Sequence, residues 1–115
     1  MSENCIFCKI IKKEINSNIV YEDNNVIGFK DLNPVSPTHV LFIPKKHIQS
    51  IDHIELEDSS IISAILLGIS KYAKQIGISE NGYRVVSNIG KFGGQTVLHL
   101  HFHLLGGRAH FWPPG

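Results

Sequence analysis

The stretch Leu98-His99-Leu100-His101-Phe102-His103-Leu104-Leu105 alternates apolar side chains with histidines. Strict alternation over this length is typical of a half-buried β-strand. Because successive side chains of a strand point to opposite faces, we predict that the three histidines share one face and the apolar residues the other. The apolar face would anchor the strand in the core, and the histidine face would be available for chemistry.

A row of three imidazoles is an unusual core, because each buried ring has two nitrogens that need partners. Histidine is also the side chain that titrates near neutral pH, so the pattern favours a chemical role. Neighbouring histidines would lie ~7 Å apart along the strand, which lets one small group touch two of them. Two interpretations follow: a nucleophile with a supporting acid or base, or a metal site.

Length and composition restrict the classes of protein to consider. The chain has 115 residues with 43% hydrophobic and 18% charged content, which predicts a single globular domain over residues 1–115. A net charge of +1 without a basic run argues against nucleic-acid binding, and no apolar run approaches the ~20 residues of a membrane span. Residues 1–4 lack the pattern of a signal peptide. We expect a cytoplasmic protein with reduced thiols, and a nuclear location is also compatible.

The rest of the chain predicts further strands and two helices. Residue periodicity indicates a short helix over Cys5–Lys13 and a long helix over Glu57–Ile76, with Gly77 as its stop. The other strands are predicted at Ile19–Glu22, Val26–Asp31, His39–Ile43 and Tyr83–Ser87. Since every link between strands is short except the one that holds the long helix, an antiparallel α+β sheet is favoured over a doubly wound parallel one.

A glycine-rich loop, predicted over Ile89–Gln95 and continuing to Thr96, leads directly into the histidine strand. Its glycines would let backbone N–H groups approach an anion closely. The loop lacks the Gly-Lys-Ser/Thr ending of a P-loop, and taken alone it is equally compatible with an ordinary turn. Beside three histidines, the better interpretation is a cradle for an oxyanion or a phosphate.

Cys5-Ile6-Phe7-Cys8 forms a Cys-x2-Cys pair. Two thiols packed at a helix end would explain it, whereas a redox pair is disfavoured because no strand precedes it. A zinc site would need two more ligands, for which His47 and His99 are candidates. Such a closed site would be structural and would leave His101 and His103 free.

Two further residues gain interest from their positions. Asp31 ends a predicted strand before a proline loop, which suits either turn initiation or hydrogen bonds to a ribose diol. A lone histidine such as His39 is usually structural, and only a meeting with the histidine strand would give it a catalytic part.

The run His99–Leu105 resembles the His-φ-His-φ-His-φ-φ signature of the histidine triad (HIT) superfamily, where φ is an apolar residue. The third histidine argues against the nucleotidyltransferase branch, which has Gln there. The length and the tail argue against the dinucleotide hydrolases of the superfamily. The segments that resemble the HINT branch, the histidine triad nucleotide-binding proteins, are Cys5–Ile11, Thr38–His47, Gly93–Val97 and Trp112–Gly115.

This resemblance implies a HIT-like fold with a five-stranded antiparallel sheet, one long helix and one short helix, and two such sheets joined in a homodimer. It implies a purine nucleoside phosphoramidase, which splits a P–N bond through a covalent nucleotidyl-histidine and releases AMP or GMP and an amine. Aminoacyl-adenylates are a further expected substrate class. No cofactor is expected to be required for catalysis.

The resemblance also implies roles for individual residues. His101 would be the nucleophile, His103 would bind the phosphate and assist the leaving group, and His99 and His39 would orient the site and relay protons. Asp31 would hold the ribose. The other implied nucleotide contacts are Ile6, Phe7, Phe29 and Leu32 around the base, Asn88, Gln95 and Thr96 at the phosphate or leaving group, and Gly94 and Val97.

Related proteins with the cysteine pair bind zinc, and by resemblance the ligands here would be Cys5, Cys8, His47 and His99. Trp112 would reach the active site of the other subunit. Two alternatives stay open. One is a nucleotide-binding interaction module with little turnover, and the other is a metal protein that uses the triad and His39 as ligands.

Overall fold

The computed structural model describes residues 4–115. Residues 1–3 lie outside the described part. They belong to the predicted single domain over residues 1–115 and to the segment predicted to lack a signal-peptide pattern, so both statements stay predictions. The elements are, in chain order, helix α1 (Ile6–Ile11), strands β1 (Ile19–Glu22), β2 (Val26–Lys30) and β3 (Thr38–Pro44), helix α2 (Ser59–Gln75), strand β4 (Arg84–Val86), the single-turn helix α3 (Gly90–Gly93) and strand β5 (Phe102–Gly106). Short 3-10 turns at Ile51–His53 and Leu56–Asp58 precede α2.

The strands of residues 4–115 form one antiparallel sheet in the order β1-β2-β3-β5-β4. This arrangement confirms the predicted antiparallel α+β fold. Strand β5 lies between β3 and β4, and its register pairs His103 with Leu41 and Leu105 with His39. The pairing therefore brings His39 next to the end of the histidine stretch, which the sequence alone could not establish.

Helices α1 and α2 cover opposite faces of the sheet. Successive side chains of a strand point to opposite faces, so strands such as β2 and β3 contribute buried residues to both. Side chains that pack with α2 are buried on one face, and those that pack with α1 are buried on the other. The first group includes Val26, Val40, Phe42, Ile65, Ile69, Tyr72, Phe102 and Leu104. The second group includes Phe7, Cys8, Ile10, Ile27, Phe29, Leu41 and Ile43. His39 and His103 take the register positions of the α1 face, which is where the candidate site lies.

The predicted histidine strand over Leu98–Leu105 is correct only in its second half. Residues 97–101 are irregular and β5 begins at Phe102. Leu100 is 1% exposed, but Leu98 is 57% exposed and does not share its face. The Leu100 N–H donates to the Ile48 carbonyl at 2.6 Å, so the backbone leaves the sheet before the alternation ends.

The glycine-rich segment was predicted as a loop, but Gly90–Gly93 forms the helical turn α3. Gly94 ends it in the left-handed region at φ 79°, a conformation that glycine adopts without a steric penalty. The N–H groups of Gly94 and Gln95 donate to the carbonyls of Lys91 and Gly90. These amides are thus used within the turn rather than aimed at an anion.

Several predicted boundaries differ by one to four residues at the ends of elements. Helix α1 is shorter than predicted because the Cys5 sulfur caps it, accepting from the Cys8 N–H at 3.3 Å. The long helix starts at Ser59 because a 3-10 turn occupies Leu56–Asp58, and it ends before Gly77. Strand β2 ends at Lys30 and leaves Asp31 in the loop. Within residues 4–115, none of the helices combines the length and apolar character that crossing a bilayer requires.

Candidate functional site

The structure divides the three triad histidines between two neighbouring clusters. His99 lies with Cys5, Cys8 and His47, and its side chain is inaccessible to solvent. His101 and His103 instead line an open cavity. Phe7 of α1 packs against both His99 and His101, so these rings lie on the α1 side of the sheet, but they differ in the groups that surround them.

A cavity of about 340 Å³ contains most of the residues expected to contact a nucleotide. Its walls are largely apolar, and His101, His103 and Asp31 supply polar groups, which is typical of small-molecule sites. The expected residues that line it are Ile6, Phe7, Phe29, Asp31, Leu32, Thr96, Val97, His101 and His103. Lining residues that the sequence analysis missed are Ile10, Ile15, Asn16, Ser17, Lys30, Asn33 and Leu41. Among residues 4–115, three expected contacts do not line this cavity: Asn88, Gly94 and Gln95.

Phe7 forms the wall between the cavity and the cysteine cluster. Its ring packs edge-on against Phe29 at 5.5 Å, His101 at 5.2 Å and His99 at 5.8 Å between ring centroids. Such edge-to-face contacts are favourable for aromatic pairs and fix the ring plane. Ile6, one residue earlier on α1, is 48% exposed, so its side chain is accessible at the cavity rim.

The ring of His101 is held by its own backbone neighbour. Its Nδ1 lies 2.7 Å from the carbonyl oxygen of His99, so the Nδ1–H donates this hydrogen bond. In the neutral ring the proton is therefore on Nδ1, and Nε2 keeps its lone pair. Nε2 is the nitrogen that can attack an electrophile in the cavity.

His103 and His39 form a hydrogen-bonded pair with a defined direction. The Val35 N–H donates to His39 Nδ1 at 3.1 Å, which places the proton of neutral His39 on Nε2. That Nε2–H donates to His103 Nδ1 at 2.9 Å, so neutral His103 carries its proton on Nε2. His103 can therefore present a donor to a group bound in the cavity, while His39 supports it from behind.

Burial keeps this pair neutral near pH 7. Burial is the main cause that lowers the pKa of His103 to about 4; the neighbouring His101 and His39 also lower it, and the Asp31 carboxylate raises it by less. Burial is also the main cause that lowers the pKa of His39, against a smaller raising effect of Asp31. Protonation of His103 near neutral pH consequently requires an additional negative charge in the cavity.

Asp31 stands where the loop leaves β2. Its Oδ1 accepts from the Asn33 N–H at 2.8 Å, and its Oδ2 lies 3.5 Å from His39 Nε2. The first contact fixes the loop turn, and the second holds the carboxylate near the histidine pair. Both interpretations of Asp31 from the sequence are thus compatible with its position: it starts a turn and it lines the cavity.

The cysteine cluster has the dimensions of a tetrahedral metal site. The Nδ1 atoms of His47 and His99 are 3.0 Å apart, Cys8 Sγ lies 3.3 Å from His47 Nδ1, and Cys5 Sγ lies 3.3 Å from His99 Nδ1. A zinc ion with ~2.0 Å bonds to nitrogen and ~2.3 Å bonds to sulfur gives edges of roughly 3.3 to 3.8 Å between ligands, so the two S–N distances lie at the lower end of this range and the N–N distance lies just below it. His99 Nε2–H donates to the Pro44 carbonyl at 2.9 Å, which leaves Nδ1 unprotonated as a ligand requires. The donor set present therefore fits zinc.

A second group of ligand types, Asp31, His39 and His103, also lies within 4.8 Å. Here, however, each nitrogen between the rings takes part in the directed chain that starts at the Val35 N–H. The proton on His39 Nε2 occupies the position that a metal would need. This group is better described as a proton-bearing pair than as a cation site.

Other expected contacts have structural partners instead. The Gln95 side chain accepts from the Gly90 N–H and donates to the carbonyls of Gln49 and Val97, so it braces the α3 turn. The backbone of Asn88 lies beside Gly93, and the expected contact of its side chain with the phosphate or the leaving group stays a prediction. His99 acts on His101 through its carbonyl oxygen, and the expected proton relay by its ring stays a prediction.

The C-terminal tail is fastened to its own chain and exposes its aromatic residues. Arg84 donates to the Phe111 carbonyl and Arg108 to the Val35 carbonyl. Trp112 is 82% exposed. Its expected reach into another subunit stays a prediction.

Of the missed lining residues, Leu41 had a detectable signal. It follows His39 by two residues in β3 and so shares its face. Residues 15–17 had none, because they follow α1 in an irregular segment whose path depends on tertiary packing.

Comparison with known proteins gives consistent matches. The model of a family described as the HIT domain matches residues 12–110. The purine nucleoside phosphoramidase of Escherichia coli K12 is 44% identical over 108 residues, which are 94% of this chain and 91% of that protein. An uncharacterized HIT-like protein of Synechococcus elongatus is 49% identical over 115 residues, the whole of both chains. The crystal structure of a HIT family hydrolase from Legionella pneumophila Philadelphia 1 has a TM-score of 0.95 and 50% identity, covering 97% of this chain and 100% of that chain.

The matched range includes His39, Asp31 and all three triad histidines, whereas Cys5 and Cys8 precede it. The histidines and Asp31 of the cavity thus belong to the part shared with the family model, while the cavity residues Ile6, Phe7 and Ile10 precede that part. The fold agrees over nearly the whole chain with a solved relative. The chain belongs to the HIT family.

Proposed function

We propose that this protein is a purine nucleoside phosphoramidate hydrolase that splits the P–N bond through a covalent nucleotidyl-histidine. The observation that carries the proposal is the arrangement of His101 and His103, which face one cavity with complementary protonation. His101 offers an unprotonated Nε2, and His103 offers an Nε2–H. The match to a relative named purine nucleoside phosphoramidase supports the same reaction.

In the first step, His101 Nε2 forms a bond to phosphorus and the P–N bond breaks. The departing amine takes its proton from protonated His103. Although the pKa of His103 is about 4 in the free protein, the anionic phosphate of the substrate favours the charged imidazolium and raises it. The step therefore leaves a nucleotidyl-His101 and a neutral His103.

In the second step, water attacks the phosphorus and the bond to His101 Nε2 breaks. The proton of the water passes to neutral His103, which is restored to its starting form. When His103 is neutral, its Nδ1 accepts the hydrogen bond from the His39 Nε2–H, which orients the ring. The products are a nucleoside monophosphate, AMP or GMP, and the amine released in the first step.

The nucleotide would bind along the cavity from base to phosphate. Phe7, Phe29 and the exposed Ile6 and Leu32 supply apolar contacts for a purine. Asp31 Oδ2 would accept a ribose hydroxyl, while Oδ1 stays with the Asn33 N–H. Thr96 lines the same cavity and would contact the phosphate or the leaving group. Aminoacyl-adenylates would be cleaved by the same two histidines.

We further propose that Cys5, Cys8, His47 and His99 bind a structural zinc ion. The ion would tie α1 to the end of β3 and to the segment before β5. Its position on the far side of Phe7 from the cavity leaves His101 and His103 free for the reaction. Catalysis would proceed without a metal cofactor.

We propose a cytoplasmic homodimer as the functional form, following the HINT resemblance. The exposed Leu66 and Leu67 of α2 and the edge strand β4 supply apolar and backbone surface suited to a second copy. Exposed Trp112 would then be available to the active site of the other subunit.

The decisive experiment is single-turnover hydrolysis of a fluorogenic adenosine 5′-phosphoramidate, with the protein trapped without acid and weighed by mass spectrometry. We expect a transient mass increase of one AMP, followed by release of AMP, and the same result after dialysis against a chelator. AMP binding without an adduct or turnover would instead favour a binding module. Activity lost on chelation and restored by metal would favour the metal-protein alternative.

A further inference from the structure

The nucleophile lies just beyond the regular part of the sheet. The last residue pair between β4 and β5 is Val86 with His103. His101 precedes β5, so its peptide lies outside the ladder that holds the rest of the strand. The position of an attacking nitrogen would therefore depend on contacts other than strand pairing.

Ser87, the residue directly after β4, supplies such a contact. Its hydroxyl donates a hydrogen bond to the His101 carbonyl oxygen at 2.8 Å. This side-chain hydrogen bond continues the connection between the two strands beyond their last backbone pair. Ser87 lines neither the nucleotide cavity nor the cysteine cluster, and its sequence pattern predicts only a place at the end of a strand.

Apart from the ring contacts of His99, three hydrogen bonds among the described residues hold the backbone from His99 to His101. The Leu100 N–H donates to the Ile48 carbonyl, His101 Nδ1–H donates to the His99 carbonyl, and Ser87 holds the His101 carbonyl. The first two are made by backbone groups or by the nucleophile itself. Of these three, the Ser87 bond is the one that a side-chain substitution can remove without altering the reacting ring.

We propose that Ser87 is a positioning residue that fixes the His101 peptide so that Nε2 meets phosphorus at the correct distance and angle; this rests on the proposed hydrolase function. Reacting atoms must meet within about 3.5 Å, and a misplacement of about 1 Å costs roughly 10²-fold in rate. Without the hydroxyl, the peptide at His101 loses its tie to β4. The reaction should slow while the nucleotide, which Ser87 does not touch, still binds.

The test compares Ser87→Ala with Ser87→Thr, which keeps the hydroxyl, and with Ser59→Ala as a matched control. Ser59 also donates its hydroxyl to a carbonyl, that of Leu56, but it lies at the start of α2. We expect Ser87→Ala to slow adduct formation about tenfold or more with the Kd for AMP within about twofold. Ser87→Thr should restore most of the rate, and Ser59→Ala should match the wild type.

A wild-type rate in Ser87→Ala, or equal losses of rate and of AMP affinity, would overturn the proposal. A second readout separates it from the hydrolase proposal: the imidazole ¹⁵N spectrum at fixed pH reports which nitrogen of His101 carries the proton. If the wild type forms no adduct, the hydrolase function fails. A change of the His101 signals in Ser87→Ala alone would still demonstrate positioning, and unchanged signals would reject it.

Discussion

The two histidine clusters lie on either side of Phe7 and are built from adjacent parts of one segment, yet they differ in what their ring nitrogens do. Both nitrogens of His99 are engaged inside the protein, Nδ1 with the cysteines and His47 and Nε2 with Pro44. His101 and His103 each have Nδ1 engaged inside the protein and face a cavity. A histidine at this site is suited to chemistry when its Nδ1 is engaged inside the protein and its Nε2 remains available to the cavity.

The difference follows from the neighbours of each ring. Leu100, Phe102 and Leu104 pack together on the α2 side, and Phe7 of α1 packs against both His99 and His101 on the other side. On that side His99 meets Cys5, Cys8 and His47, whereas His101 and His103 face the cavity. One alternating pattern thus supplies a closed cluster and an open one, because different parts of the chain pack against its two ends.

The largest effect that the comparison predicts is on turnover at the open cluster. His101→Ala removes the only proposed nucleophile, so we expect turnover to fall at least about 10³-fold while AMP binding stays measurable. His53→Ala is a suitable control, because His53 is exposed and contacts only Ser50 among the hydrogen bonds described. Calorimetric titration with AMP and steady-state hydrolysis check both quantities. Equal loss of binding and turnover would assign His101 to the binding surface instead.

At the closed cluster the expected effect is on stability. Cys8→Ala removes a ligand and leaves a small void at a side chain that is 1% exposed, which we expect to cost about 3 kcal/mol and lower Tm by about 10 °C. A chelator should lower the Tm of the wild type and leave that of Cys8→Ala unchanged. Turnover of the folded variant should stay within about threefold of the wild type.

Val40→Ala is the matched control for this experiment. Val40 is equally buried, but it packs on the α2 face, away from the cysteines. The variant should lose stability and still respond to the chelator. A Cys8→Ala protein that responds to chelator as strongly as the wild type would show that the cluster is not the metal site.

Most of the fold could be predicted from local patterns. Strand β1 was predicted with its observed ends, and the antiparallel sheet followed from the short links between strands. The end of the alternation at Leu98 could not be predicted, because the hydrogen bond from Leu100 to Ile48 that draws the chain out of the sheet joins residues far apart in sequence. The α3 turn was missed because glycines usually indicate a loop, whereas here Gly94 ends a helical turn.

The candidate site could be predicted where it depends on the types of residue present. It could not be predicted where it depends on the direction and partners of hydrogen bonds. The triad, His39 and Asp31 stand out by their chemistry and by resemblance to a family. The proton positions on His39 and His103 depend on the Val35 N–H, which no sequence pattern identifies. Likewise, Gln95 has the chemistry of a phosphate contact, but its amide is engaged with Gln49 and Val97.

The smallest predicted effect concerns the pKa of His103, which reports whether the directed pair exists. In the folded protein it is about 4, below the ordinary value of 6.5, so the unfolded chain binds more protons between these pH values. Stability should therefore fall as the pH drops from about 6.5 to about 4, because the buried rings must be charged or exposed. Thermal unfolding over this pH range measures the combined slope, to which His99 also contributes because burial lowers its pKa to about 4.

Two substitutions should move this pKa in opposite directions. His39→Gln removes a neighbouring imidazole that lowers the pKa of His103, so its NMR titration midpoint should rise. Asp31→Asn removes the carboxylate that raises it, so the midpoint should fall. The other titratable residues that line the cleft of His39 and Asp31 are Lys30 and Tyr72. Both variants keep them, so they do not account for a difference between the two midpoints. Shifts in the same direction, or none, would mean that burial alone sets the pKa, and the proton on His103 Nε2 would then need a source other than the His39 pair.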